Sequence, residues 1–299
     1  MSIVSNPELE SLSGLRNLDS IGQFLDIYGN GSLPSLNGLE NLTYVGGEIR
    51  IQDNPALANL SAFGQLDSLK GNLILLDNPV LSSLEGLNNL TYIGGLEITG
   101  QESIQNLTPL QNLKAVGGSL AIVGNTGLSD FSGLENLDTI GGYLQISEIS
   151  YLTTLKGLEN IDPNTISELI ITESPMLSAC GLDNLCEYLA TPANPATISG
   201  NAPSCSSREE VEAACVTGSI GLKEESQISI SPNPSNGIFH LTGLPSGEIT
   251  IEVADSWGRV IIAERPDPPL VNLAKQPAGM YVITIQTEHG LFARRLMKW

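Results

Sequence analysis

Apolar positions in the first two-thirds of the chain recur at a fixed period. The fullest copy runs from Leu73 to Gly95, and taking Leu73 as the first strand position, its equivalents are Met1, Leu25, Ile49, Leu96, Leu120, Leu144, Leu169 and Ala196. The step is 23 to 25 residues until the last, which is 27. A unit this short cannot enclose a core, so each copy is expected to be one coil of a solenoid whose neighbours complete the packing. Within each coil, pairs such as Leu25 and Ile27, Ile49 and Ile51, or Leu120 and Ile122 alternate with variable residues. Period-two alternation predicts a short strand with every second side chain turned inward.

The rest of the coil also has a pattern. Asn6, Asn30, Asn54, Asn78, Asn125 and Asn201 stand five positions after their strand starts. One polar side chain at the same turn of successive coils predicts a ladder that satisfies backbone groups buried between them. Leu81, Leu84, Leu87 and Leu90 are spaced by three, which suits tight 3₁₀-like arcs that aim leucines at the solenoid axis. Gly-Gly pairs starting at 46, 94, 117 and 141 then turn the chain into the next strand. With about eight such copies, residues 1–215 resemble the leucine-rich-repeat family, most closely its receptor L-domain-like branch of bacterial surface proteins.

All four cysteines, Cys180, Cys186, Cys205 and Cys215, lie where the period breaks. An even number clustered at one end of a solenoid predicts a disulfide-locked cap made in an oxidising compartment. No Cys-x-x-Cys or nearby histidine occurs, so a zinc site is not expected. Ser207 followed by Glu210 is a capping-box arrangement, which predicts a helix over Arg208 to Ala214. At about 1.5 Å per residue that helix holds Cys205 and Cys215 roughly 15 Å apart, beyond the reach of a bridge. A Cys205 to Cys215 bond is thus not expected, and of the two pairings left, Cys180 with Cys205 and Cys186 with Cys215, which joins the last two coils, is favoured.

Residues 216–226 carry no repeat pattern and read as a polar linker. Over 227–299, short alternating runs (228–231, 237–242, 249–254, 260–263, 280–286 and 291–297) are separated by prolines and glycines. Five to seven strands at this spacing predict a small Ig-like β-sandwich. The fold class is thus mainly β with short helical or 3₁₀ arcs, a solenoid followed by a sandwich. Four motifs in order, Ser231-Pro-Asn-Pro-Ser-Asn-Gly-Ile-Phe239, Val253-Ala-Asp-Ser-Trp-Gly-Arg-Val260, Ala278-Gly-Met-Tyr281 and the basic terminus Arg294-Arg-Leu-Met-Lys298, resemble the C-terminal sorting domain of type IX secretion in Bacteroidota. The resemblance implies export through the periplasm to the outer-membrane surface or the medium, with the secretion machinery as a partner. It marks Pro232, Asn233, Pro234, Gly237, Asp255, Gly258, Gly279, Tyr281 and Lys298 as candidate signal residues. Met1 to Asn6 lacks the basic and apolar regions of a signal peptide, and Met1 falls on an inward strand position, so the N-terminus is expected to be incomplete.

Charge and composition remove whole classes of function. Residues 1–215 hold 25 acidic and 6 basic side chains, and residues 216–299 hold 8 and 7. A net charge of -20 offers no basic face for nucleic acid or an anionic membrane surface. No apolar run approaches the roughly 20 residues that span a bilayer, so no membrane insertion is expected. Only two histidines occur, His240 and His289, neither with a candidate partner. No nucleophile elbow, phosphate loop or metalloprotease motif is present, so neither enzyme activity nor a cofactor is expected. Glu40, Glu85 and Glu135 recur with the repeat and read as solvated faces.

Solenoids bind along the strand face, where outward residues form columns. One column here reads Asp26, Arg50, Ile74, Glu97, Ala121, Gln145, Ile170, and the next Tyr28, Gln52, Leu76, Thr99, Val123, Ser147, Thr172. Ile74 and Leu76 are expected to form an exposed apolar spot. The expected ligand-binding residues are Tyr28, Arg50, Gln52, Ile74, Leu76, Glu97 and Thr99. The expected function is recognition or adhesion toward a protein or glycan. The alternative is a stalk or spacer that binds nothing, whose outward columns would be uniformly small and polar.

Overall fold

In a computed structural model the chain divides into two compact units, Met1–Cys215 and Val216–Trp299. The structure describes residues 1–218, 229–231, 235–242, 244, 249–255, 259–263, 270–287 and 290–299. The first unit is built on one parallel stack. Its nine main strands are β1 (Ser2–Val4), β2 (Leu25–Tyr28), β3 (Ile49–Gln52), β4 (Ser68–Leu76), β5 (Tyr92–Thr99), β6 (Leu120–Val123), β7 (Tyr143–Ser147), β8 (Glu168–Thr172) and β9 (Ala196–Ser199). They pair in chain order, every pair parallel, with Leu25, Ile49, Leu73, Leu96, Leu120, Leu144, Leu169 and Ala196 in one register row.

The arcs between strands follow from the leucine spacing. Leu87 N–H donates to Leu84 O and Leu90 N–H to Leu87 O, each at 3.1 Å, the i to i+3 closure of 3₁₀ geometry. All four leucines of that arc are buried. The turn at Gly86 is possible only for glycine. Its φ is +106°, and a Cβ there would lie 2.1 Å from Leu60 O of the preceding coil. The carboxylates of the repeat serve these turns. Glu40, Glu135 and Glu159 each accept the N–H of the glycine two residues earlier at 2.8 Å, and Asn88 does the same for Gly86 at 3.1 Å. Asn88 is thus the counterpart of Glu40 in its coil. Glu85, one position before Gly86, has a different place in the repeat and is exposed.

The asparagine ladder forms between coils. Asn54 Nδ2 donates to Ile27 O (3.0 Å) and Gln52 O (2.9 Å), while its Oδ1 accepts from Asn30 N–H (3.1 Å). Asn78 repeats the arrangement one coil on. Two members are not asparagine: Gln101 Oε1 accepts from Asn78 N–H (3.3 Å), and Ser174 Oγ accepts from Ile149 N–H (3.2 Å). Ile149 itself, fully buried, interrupts the ladder.

At the end of the solenoid stand two helices, α1 (Asp183–Leu189) and α2 (Arg208–Gly218). Disulfides join Cys180 to Cys205 and Cys186 to Cys215, with Cα separations of 5.8 and 5.5 Å. Asn184 Nδ2 donates to Leu158 O and Ile161 O, tying α1 to carbonyls of the preceding arc. Arg208 donates to Leu189 O (2.7 Å) and Asn194 O (2.9 Å), binding the C-terminal end of α1. The capping box at α2 forms by half. Ser207 Oγ accepts from Glu210 N–H (3.3 Å), but the Glu210 carboxylate reaches back to Ser204 N–H (2.8 Å) and Ser206 N–H (3.1 Å) instead of Ser207. Val216 to Gly218, expected to be linker, continue α2, and 219–226 lie outside the described residues.

Described strands of the second unit are β10 (Ser229–Ser231), β11 (Ile238–Thr242), β12 (Thr250–Asp255), β13 (Val260–Ala263), β14 (Leu270–Asn272), β15 (Gly279–Thr287) and β16 (Gly290–Lys298). They form two antiparallel sheets, β10-β11-β14 and β13-β12-β15-β16. Alternate residues Phe239, Leu241, Ile251, Val253, Ile283 and Ile285 fill one core between them.

Candidate functional site

The parallel register places the outward residues of β1 to β9 in straight columns, with successive coils about 4.8 Å apart. Arg50, Ile74, Glu97 and Ala121 are direct neighbours in one column, and Tyr28, Gln52, Leu76 and Thr99 in the next. All seven residues expected to bind therefore share one patch of β2 to β5. Their environments differ. Tyr28 is exposed, and Arg50 is exposed with its Nε 3.5 Å from Glu48 Oε1, an ion pair that water screens. Gln52 Nε2 donates to Asp53 Oδ2 at 3.1 Å, so its amide is partly engaged. Leu76, Glu97 and Thr99 are half-buried.

Ile74 does not expose the apolar spot expected of it. It is only 7% exposed, although it points outward. Its register neighbours, Arg50 and Glu97, are long side chains one coil to either side, and at strand spacing their stems can cover a branched side chain. Ala121, outward in the same column, is likewise buried at 6%.

A third column, which the two columns of the sequence reading leave out, borders them. It contains Glu48, Asn72, Gly95, Ser119 and Tyr143; Asn72 pairs in register with Gly95, and Tyr143 N–H donates to Ser119 Oγ at 3.2 Å. Gly95 interrupts this column with a gap, and here the face is concave. A cavity of about 170 Å³ is lined by Asn72, Gly95, Ser119 and Tyr143 from the third column and by Ile74, Glu97 and Ala121 from the first, with Leu96 between. Tyr143 is 38% exposed. Among the described residues neither the Asn72 amide nor the Glu97 carboxylate has a hydrogen-bond or ion-pair partner. The available signal is the absence of a side chain at Gly95 within an otherwise polar column.

A second concavity, about 450 Å³, lies at the turns that follow the strands and is lined by Asp53, Pro55, Asp77, Pro79, Gly100 and Glu102. Its carboxylates are not gathered. Among the described residues no group of three or more His, Cys, Asp or Glu is placed to hold a metal ion.

In the second unit, Gly237 has φ +112°, and a Cβ there would lie 2.9 Å from Ala274. Asp255, at the end of β12, accepts from Arg259 N–H at 3.0 Å and pairs with its guanidinium at 2.9 Å. Tyr281 is buried and its hydroxyl donates to Pro277 O at 2.6 Å. Gly279 begins β15, and Lys298 Nζ donates to Ala274 O (3.0 Å) and Gln276 O, fixing the end of β16 to the turn before β15. Arg294 to Lys298 are part of a paired strand, as the alternating run 291–297 leads one to expect, and Leu296 in it is fully buried. Pro232, Asn233, Pro234, Gly258 and His289 lie outside the described residues, and His240 is exposed on β11.

Residues 61–169 match the family model of the leucine-rich-repeat domain of the endo-β-N-acetylglucosaminidase EndoS, and residues 229–298 match that of the secretion system C-terminal sorting domain. No curated protein matches the chain. Neither family is catalytic. The sorting domain means export to the cell surface or the extracellular space, with the secretion machinery handling the chain, and two disulfides accord with that compartment. Among the described residues no helix is long and apolar enough to cross a membrane.

Proposed function

We propose that the protein is an exported recognition or adhesion protein, without catalytic activity, whose solenoid over residues 1–215 holds a protein or glycan on its strand face while residues 227–299 serve as the export address. The observation that supports this most is the relief of the face. A spacer needs only uniform polar columns, whereas here an exposed tyrosine, buried outward apolar side chains and an unpaired carboxylate surround a concavity on β4 to β7. Such a mixture of apolar ground and a few convergent polar groups is the usual make-up of a ligand site. Each strand beneath the site is paired on both sides, and the polar ladder runs under β4 to β6.

The test is a glycan array and a panel of surface proteins probed with the full chain, then repeated with Tyr28→Ala, Gln52→Ala and Thr99→Ala. These three side chains are exposed or half-buried, so their loss should leave the core intact. A specific partner should bind the parent chain and lose affinity with at least one variant. A partner that binds these three variants and Tyr143→Ala equally well would move the site off the strand face.

A further inference from the structure

The concavity at Gly95 is small, mixed in chemistry and fully framed by paired strands. From these three properties we infer that it is a subsite for a single neutral sugar ring. The inference rests on the strand-face reading above and narrows it.

Size comes first. At about 170 Å³ the cavity is well under the roughly 300 Å³ at which pockets begin to enclose drug-sized ligands, so it suits one ring of a larger molecule. It exists because position 95 has no side chain. A Cβ there would lie 2.7 Å from Asn72 Oδ1, so even a methyl group would compete for the space.

The lining then selects the ligand. A pyranose has an apolar face of C–H bonds and a rim of hydroxyls that both donate and accept. Ile74 and Ala121 supply buried apolar ground, and Tyr143 an aromatic surface that takes such a face without demanding a partner of its own. Around them, Asn72 offers a donor and an acceptor, Ser119 a hydroxyl and Glu97 an acceptor. With the Asn72 amide and the Glu97 carboxylate both unpaired among the described residues, hydroxyls can be met without breaking existing bonds. Glu97 and the 25 acidic against 6 basic residues of 1–215 oppose sialylated, sulfated or phosphorylated sugars.

The frame disfavours a peptide. β4, β5, β6 and β7 each pair with a strand on both sides, so no free edge is available for a peptide strand to add to. A peptide could engage the notch only by one inserted side chain, and a basic one would seek Glu97.

The experiment uses the full chain and saturation-transfer NMR with methyl glycosides of glucose, galactose, mannose and N-acetylglucosamine at millimolar concentration, with methyl glucuronide as the charged control. At least one neutral glycoside should bind, and the glucuronide should not. Gly95→Val fills the notch, and Tyr143→Ala, at an exposed position that does not threaten the fold, removes its wall. Each should weaken the bound glycoside about tenfold or more, as loss of an anchor in a small site does. Tyr151→Ala, exposed and not among the residues lining the notch, should bind the glycoside like the parent. Absence of binding by every neutral glycoside would overturn the subsite, as would binding that survives both Gly95→Val and Tyr143→Ala. The two readings fail separately. A partner from the array or protein panel that is lost with Tyr28→Ala while no glycoside binds would keep the strand face and discard the sugar. A lysine-bearing peptide that binds the parent chain but not Glu97→Gln, again with no glycoside bound, would give the notch to a peptide side chain.

Discussion

Replacing Asn54 by alanine tests whether the ladder holds the coils together. Asn54 is fully buried, and the change removes the bonds it donates to Ile27 O at 3.0 Å, Gln52 O at 2.9 Å and Asn78 Oδ1 at 3.2 Å, and the acceptor for Asn30 N–H at 3.1 Å and Asn30 Nδ2 at 3.2 Å. The hole left is too enclosed for those groups to regain bulk water cheaply. Gln52 O keeps the N–H of Gly29 at 3.1 Å, so the group that loses its acceptor outright is the Asn30 N–H; at about 1–3 kcal/mol for a buried group left unsatisfied, the loss should be about 1–3 kcal/mol. Unfolding in urea should be followed by far-UV circular dichroism. Both tryptophans, Trp257 and Trp299, lie in the second unit, so their fluorescence reports that unit and not the solenoid. The dichroism midpoint should fall sharply, while the fluorescence transition stays where it was. A loss under about 0.5 kcal/mol would refute the reasoning, since it would place the ladder among ordinary surface substitutions.

Three further outcomes are expected. Reduction of the two disulfides, whose loops span 25 and 29 residues in sequence, should lower solenoid stability by about 2–4 kcal/mol, seen as an earlier dichroism transition in reductant; an unchanged midpoint would count against the cap. Hydrogen bonds from Ser206, and from Ser204 N–H, hold the Glu210 carboxyl below its ordinary pKa, so its stabilisation is present at neutral pH and lost as pH falls through that lowered value; Glu210→Gln should flatten the acid dependence of cap opening by hydrogen exchange, and an unaltered dependence would assign it to other groups. Deleting Arg294 to Trp299 would strip the buried Leu296 from its sheet and confuse misfolding with missorting, so the cleaner change is Lys298→Ala: the protein should accumulate in the periplasm with its solenoid folded, and normal appearance outside the cell would remove Lys298 from the signal.

Much of the fold was legible because a solenoid repeats its constraints. Leu25, Ile49 and Leu73 mark one inward row, and their register is fixed by the same period that reveals them. Ser207 and Glu210 announced a helix, and a helix between Cys205 and Cys215 leaves each to an upstream partner. Other features were hidden by chemistry that accepts substitutes. Gln101 and Ser174 do ladder work with different side chains, so a search for asparagine passes over them. Arg208, which binds three carbonyls around the end of α1, has no periodic equivalent to compare with.

The candidate site was legible only in part, for a reason particular to stacked coils. Exposure of an outward residue is decided less by its own strand than by its register neighbours one coil before and after it. Ile74 looks like an exposed apolar residue beside Asn72 and Leu76, but in the stack it lies between Arg50 and Glu97, and it is buried. The converse holds at Gly95, where a gap in sequence terms carries no chemistry at all. In the stack that gap falls between Asn72 and Ser119, two coils from Tyr143, and converts three ordinary polar and aromatic residues into the walls of one cavity. A concave site on such a face is therefore written across four coils at once, and it can be read from the sequence only after the columns, including those at the strand edge, have been laid side by side.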